Sequence, residues 1–135
     1  MAGLPFQDEI KQAAADYPDV PAALIMAVIE TESSFNPKAF LSDRNGGSYG
    51  LMQLNYPTAK EMGLSSADDA SALYDPQTNI WIGTAYLNHL YHEFKDWKKA
   101  IMAYNEGPGN VLKGLLDDVY YAKVYARWQK WKAIL

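Results

Sequence analysis

Two glutamates one residue apart, Glu30 and Glu32, stand where an apolar run ends, in AVIETESSFNP at 27–37. A carboxyl group on an apolar surface can hold its proton near neutral pH and deliver it to a leaving oxygen; one in open water is ionised and cannot. Helical phase separates the two. Counting about 100° per residue from Leu24, the apolar residues Ile25, Val28 and Ile29 fall near 100°, 40° and 140°. On the same wheel Glu32 falls at about 80° and Glu30 at about 240°. Glu32 is therefore expected to point inward and Glu30 into solvent as a surface charge. An inward carboxylate is costly unless protonated or paired, so a raised pKa is expected for Glu32. A buried ion pair or a frayed, wetted helix end stays open beside the catalytic reading. Pro37 stops the helix soon afterwards, and a last turn is well placed to line a cleft.

Other chemistries find less support. There are no cysteines, which excludes disulfides, thiolate metal sites and thiol nucleophiles. His89 and His92 lie three apart on an expected helix, but no further ligands accompany them, so neither a metal nor any other cofactor is expected. A net charge of −4 argues against nucleic acid as a partner. The one basic excess, in AKVYARWQKWKAIL at the C-terminus, reads as the wet face of an amphipathic helix. The longest apolar stretch, 21–29, falls far short of the roughly 20 residues a membrane span needs. MAGLPFQDEIK lacks the basic-then-apolar order of a secretory signal. Export by other means, a trimmed leader, or action where the chain is made are the options this leaves.

The elements that must position Glu32 are mostly helices. At 135 residues, 49% hydrophobic and 21% charged, the chain suits a single domain over 1–135, expected to be a monomer. FQDEIKQAAADY and DVPAALIMAVIETES carry helical periodicity. NPKAFLSDRNGGSYG reads as a Gly-rich loop with at most a minimal β excursion. Pro57 opens a short helix that Gly63 closes, and SSADDASALYD reads as a polar connector. Asp75 and Pro76 open the clearest helix, along which Ile80, Leu87, Leu90, Tyr91 and Phe94 recur. Asp96 caps DWKKAIMAYN, which EGPGN breaks. A last helix runs from Val119 to Leu135. The fold class is mainly α. The Trp and Tyr residues suit sugar stacking, although Trp97, Trp128 and Trp131 are expected to serve the core.

Four ordered segments, ETESSFNP, GGSYGLMQLNYPTA, LYDPQTNIWIGTAYL and AIMAYNEGPGNV, resemble the successive motifs of the soluble lytic transglycosylase domain. That domain belongs to glycoside hydrolase family 23, together with goose-type lysozymes. The resemblance runs from about Val20 to Val124. It implies a lysozyme-like fold and cleavage of the β-1,4 bond between N-acetylmuramic acid and N-acetylglucosamine in peptidoglycan. It implies that Glu32, followed by Ser33, is the catalytic acid, acting next as the base that closes a 1,6-anhydro ring. It further implies substrate contacts from Ser33, Tyr49, Met52, Gln53, Tyr104 and Asn105. YYAKV resembles the family's late tyrosine motif, and its spacing to Val124 favours Tyr120 over Tyr121 as the tyrosine near Glu32. Plainer readings stand beside these: Met52 as core filler, Tyr104 as a half-buried helix residue, Gly50 as a point of close backbone approach.

LSDRNGGSYG departs from the transglycosylase pattern and looks more like goose-type lysozymes, because Asp43 and Arg44 precede YGLMQ. Asp43 is thus a possible second carboxylate, the base of an inverting hydrolysis; a turn residue bonding its own backbone is the alternative. Asn55 stands where goose-type enzymes can carry another acid, and an amide is no base. A non-catalytic glycan-binding module of the same fold is a third reading, against which the intact Glu32–Ser33 pair counts. The expected place of action is the bacterial cell wall, reached from the periplasm or outside or delivered by a phage.

Overall fold

A computed structural model describes residues 3–42, 46–114 and 117–135. Among these are seven α-helices: α1 (Gln7–Asp16), α2 (Ala22–Ser33), α3 (Tyr56–Glu61), α4 (Pro76–Phe94), α5 (Trp97–Glu106), α6 (Pro108–Leu112) and α7 (Asp118–Ile134). Two short antiparallel strands, β1 (Phe40–Leu41) and β2 (Ser48–Tyr49), pair with Phe40 opposite Tyr49 and Leu41 opposite Ser48. The mainly α class with a minimal β element is what the sequence pattern predicts.

The caps explain where the helices begin. Asp75 accepts the Thr78 N–H at 3.0 Å, with Pro76 at the first position of α4, and Asp96 accepts the Lys98 N–H at the start of α5. Asn55 caps α3 by accepting the Thr58 N–H at 3.0 Å. Two connecting segments hold more structure than expected. Within SSADDASALYD, Ala70–Tyr74 form a 3-10 helix whose cap is Asp69, because Leu73 needs burial and anchors the turn. EGPGN ends α5 but starts α6 at once, since Pro108 fits a first helical position as well as it breaks a helix interior.

α2 is the axis of the core. Every residue from Ala23 to Ile29 is buried, and α7 is its principal neighbour. The stripe drawn on the helical wheel is therefore incomplete: α2 is enclosed on all sides for two turns. Its last turn emerges against α7, where both glutamates find partners. No helix among the described residues is long and apolar enough to cross a membrane.

Candidate active site

Glu32 and Glu30 both meet α7, but different faces of it. Glu30 lies against Lys130, whose Nζ donates to both carboxylate oxygens at 2.8 and 2.9 Å; Trp131 Nε1 donates to Oε1 at 2.9 Å and Arg127 Nε lies 4.0 Å away. Burial pushes the Glu30 pKa up, but these partners outweigh it and leave it below the ordinary value. Glu30 is thus a paired, half-buried anion that pins α2 to the last turns of α7, not the solvated charge expected.

Among the described residues no cation lies beside Glu32. Its Oε2 accepts one hydrogen bond, 2.6 Å from the Tyr120 hydroxyl. Burial disfavours the carboxylate and raises its pKa to about 7, while the Tyr120 bond acts in the opposite direction. Near neutral pH the group therefore exists in both protonation states, as a residue that must first give and then take a proton requires. Burial, and then the nearby Glu32, raise the pKa of Tyr120 and Tyr104 well above the usual phenol value, so both stay neutral donors. Tyr120, not Tyr121, is the tyrosine at Glu32; Tyr121 packs beside Tyr125 instead.

The turn from Tyr49 to Met52 meets this group through Ser33 and Tyr104. Gly50 has φ +77, and a Cβ there would run into the Leu73 carbonyl and the Asn79 amide. Asn79, fully buried on α4, donates to the Tyr49 and Leu73 carbonyls at 2.9 and 2.8 Å and accepts the Met52 N–H at 2.8 Å. So fixed, the turn offers its remaining carbonyls to the site. The Ser33 hydroxyl lies 2.7 Å from the Leu51 carbonyl, and Tyr104 donates to the Met52 carbonyl at 2.6 Å. Through its backbone Met52 is part of the site, but its side chain is not. That side chain is fully buried against Gly83, where any Cβ would collide with it, so it fills the core and does not line a cleft.

A cavity of about 260 Å³ opens beside Tyr104, lined among others by Gln53, Asn55, Tyr86, Asn105 and Glu106. Gln53 and Asn105 thus sit where a sugar could reach them. Gln53 holds a positive φ of 50 and donates to the Ala39 and Gly50 carbonyls, which ties the hairpin to the turn. Tyr49 packs edge-on against Phe40 and Tyr74, with its hydroxyl on the Gly46 carbonyl. Asp43 falls on 43–45, outside the described residues. His92 pairs with Asp19 at 3.0 Å, and among the described residues no cluster of metal-ligating side chains occurs. A larger cavity of about 580 Å³ lies between α1 and α4, beside Asp16 and Trp81, and shares no lining residue with this site.

The sequence reading missed Asn79 and Glu106. An amide directly before Ile80, in a helix otherwise apolar on that side, was a usable signal for Asn79. Nothing comparable marks Glu106.

The Tyr120 bond makes a prediction about pH. It stabilises the ionised form of Glu32, so Tyr120→Phe should move the Glu32 pKa further above about 7 and carry the alkaline limb of the rate profile upward. Turnover should fall by about tenfold, because the acid loses its orienting donor. Profiles of parent and variant on one peptidoglycan preparation test this; a downward shift would refute it.

Comparison with known proteins places the fold in a family. The family model described as the transglycosylase SLT domain matches residues 9–121. The membrane-bound lytic murein transglycosylase C of Shigella sonnei is 37% identical, over 81% of this chain and 33% of that protein. The 70 kDa soluble lytic transglycosylase of Escherichia coli superposes with a TM-score of 0.71 at 29% identity, over 93% of this chain and 22% of that one. A complex of the 70 kDa soluble lytic transglycosylase with bulgecin A gives the same TM-score, as does an inactive glutamate-to-glutamine mutant of the lytic transglycosylase Slt from Pseudomonas aeruginosa. The chain thus spans about a third of the curated relative and about a fifth of the solved chains. With the family model matching most of its length, this chain belongs to the transglycosylase SLT domain family.

Proposed function

We propose that this domain is a peptidoglycan lytic transglycosylase in which Glu32 alone serves as acid and then as base. The observation that carries the reading is the setting of Glu32 among the described residues: no paired cation, one neutral donor, and a pKa of about 7. Protonated Glu32 gives its proton to the glycosidic oxygen between N-acetylmuramic acid and N-acetylglucosamine as that bond breaks. The substrate's own N-acetyl oxygen stabilises the carbon left electron-poor, so no protein nucleophile is needed. Glu32, now ionised, takes the proton of the muramic acid 6-hydroxyl as its oxygen bonds to that carbon. A 1,6-anhydro ring closes, the carboxyl group is reprotonated, and no water is consumed.

Family membership supports this reading, as do the names of the relatives given above, which are lytic transglycosylases. One of them is inactive when a glutamate becomes glutamine, the change that would disarm Glu32 here. In this reading Ser33 and Tyr104 brace the turn that faces the reacting sugar, while Gln53 and Asn105 contact the glycan. The place of action is the cell wall.

The deciding measurement is mass spectrometry of the glycan ends released from purified peptidoglycan. Anhydromuramyl ends, one water lighter than reducing ends, are expected. Reducing ends would overturn the proposal and turn attention to a water activated by a second carboxylate, with Asp43 first in line.

A further inference from the structure

The first turn of α7 carries Tyr120, and what holds that turn is unusual. Asp117 is the N-cap, its side chain accepting the Val119 N–H at 2.9 Å. In a capping box the third helical residue is Glu or Gln, which reaches back to the N–H of the cap residue. Here that position is Tyr120, and its hydroxyl is committed to Glu32. The Asp117 N–H donates instead to Glu106 Oε1, at 2.9 Å, from the last residue of α5. The missing half of the box is thus supplied by another helix. A second tie, Lys98 to Asp118 at 3.8 Å, joins exposed side chains and contributes little.

We propose that Glu106 is a positioning residue for Glu32: it locks the first turn of α7 to α5, so that the Tyr120 hydroxyl is held at the Glu32 carboxyl. A cap serving stability alone would not look like this. The Asp117 N–H is exposed enough for water to satisfy it, yet the second Glu106 oxygen is buried with no hydrogen-bond partner among the described residues. Leaving a carboxylate oxygen so placed costs stability. The gain is geometric, a fixed distance between the end of α5 and the turn that carries Tyr120.

The inference rests on Glu32 being the acid, and its test separates the two ideas. Glu32 is faced by Tyr120 from α7 and Tyr104 from α5, both kept neutral by burial. Simple removal of a negative charge at Glu106 would lower the Glu32 pKa; release of Tyr120 would raise it. Glu106→Ala should therefore lower kcat about fivefold, with KM within about twofold, and raise the Glu32 pKa by about half a unit. Carbon NMR titration of the Glu32 carboxyl and the pH–rate profile on solubilised peptidoglycan read this. Glu106→Gln keeps the accepting oxygen and should stay near the parent. Glu106→Ala combined with Tyr120→Phe should be no worse than Tyr120→Phe alone. Glu106→Asp, one methylene short, gives the same readout more mildly should the alanine variant not fold.

An unchanged or lowered Glu32 pKa in Glu106→Ala, or losses additive with Tyr120→Phe, would overturn the positioning role. If Glu32→Gln kept full activity, the reading of Glu32 itself would fail, whatever the Glu106 variants did.

Discussion

Glu32→Gln is expected to abolish peptidoglycan cleavage, by at least about a thousandfold, while making the protein more stable at alkaline pH. The first half follows from the chemistry, since an amide can neither give nor take the proton. The second follows from linkage. Burial raises the Glu32 pKa from 4.5 to about 7 in the folded state. Below about pH 4.5 the group is protonated in both states, and its titration costs the fold nothing. As pH rises through that value the unfolded chain ionises and the folded chain does not, so stability falls. Above pH 7 both are ionised and the penalty is complete, roughly 3 kcal/mol. Glutamine removes the charge and keeps an oxygen for the Tyr120 hydroxyl. Thermal melts should then coincide near pH 4 and diverge by several degrees at pH 8, the variant melting higher. Equal melting temperatures at pH 8 would mean that Glu32 is not buried as a charge. Undiminished activity would remove it from the mechanism.

The burial of Glu32 and its raised pKa were legible in the sequence, but the helical wheel reached them for a partial reason. It assigned one wet side to α2, whereas Ala23 to Ile29 are buried all round and Glu30 is ion-paired. What distinguishes the two acids is the residue that α7 brings to each, Tyr120 or Lys130, and these lie 88 and 100 positions away. Local signals decided local features. Asp75, Pro76 and Asp96 set helix starts through bonds to residues two or three along the chain. The motif resemblance reached Tyr104 and Tyr120 because it encodes contacts that periodicity does not. It misplaced the Met52 side chain, since a residue that serves the site through its backbone looks the same in sequence as one that serves it through its side chain. Glu106 was invisible because its partner is the backbone N–H of Asp117, which every residue but proline possesses.

Asn79 is the residue whose loss should damage the site most without touching the acid. Among the described residues it and Thr84 are the buried polar ones of the core, and they make opposite predictions. Both amide hydrogens and the oxygen of Asn79 are used, all on backbone groups: the carbonyls of Tyr49 and Leu73 and the N–H of Met52. Asn79→Ala deletes three bonds and strands three backbone groups away from water, where each unpaired group costs about 1–3 kcal/mol before relaxation. A net loss of roughly 3–5 kcal/mol is expected, large for one substitution. Asn79→Asp should be no better, since it keeps the size but loses both donors and sets a carboxylate against two carbonyl oxygens. The loss should also reach the chemistry. The turn that Asn79 holds presents the Leu51 carbonyl to Ser33 and the Met52 carbonyl to Tyr104. Surviving folded Asn79→Ala should therefore cleave peptidoglycan more slowly per molecule. Thr84 Oγ1 has no hydrogen-bond partner among the described residues, so Thr84→Val, which swaps a hydroxyl for a methyl in the same space, should be neutral or stabilise by about 1 kcal/mol. Urea unfolding of the three variants beside the parent gives both signs in one experiment. An Asn79→Ala loss below about 1 kcal/mol would show that the turn stands without it. In that case Gly50 and the packing of Met52 on Gly83, not the amide, would be what fixes the turn against Ser33 and Tyr104.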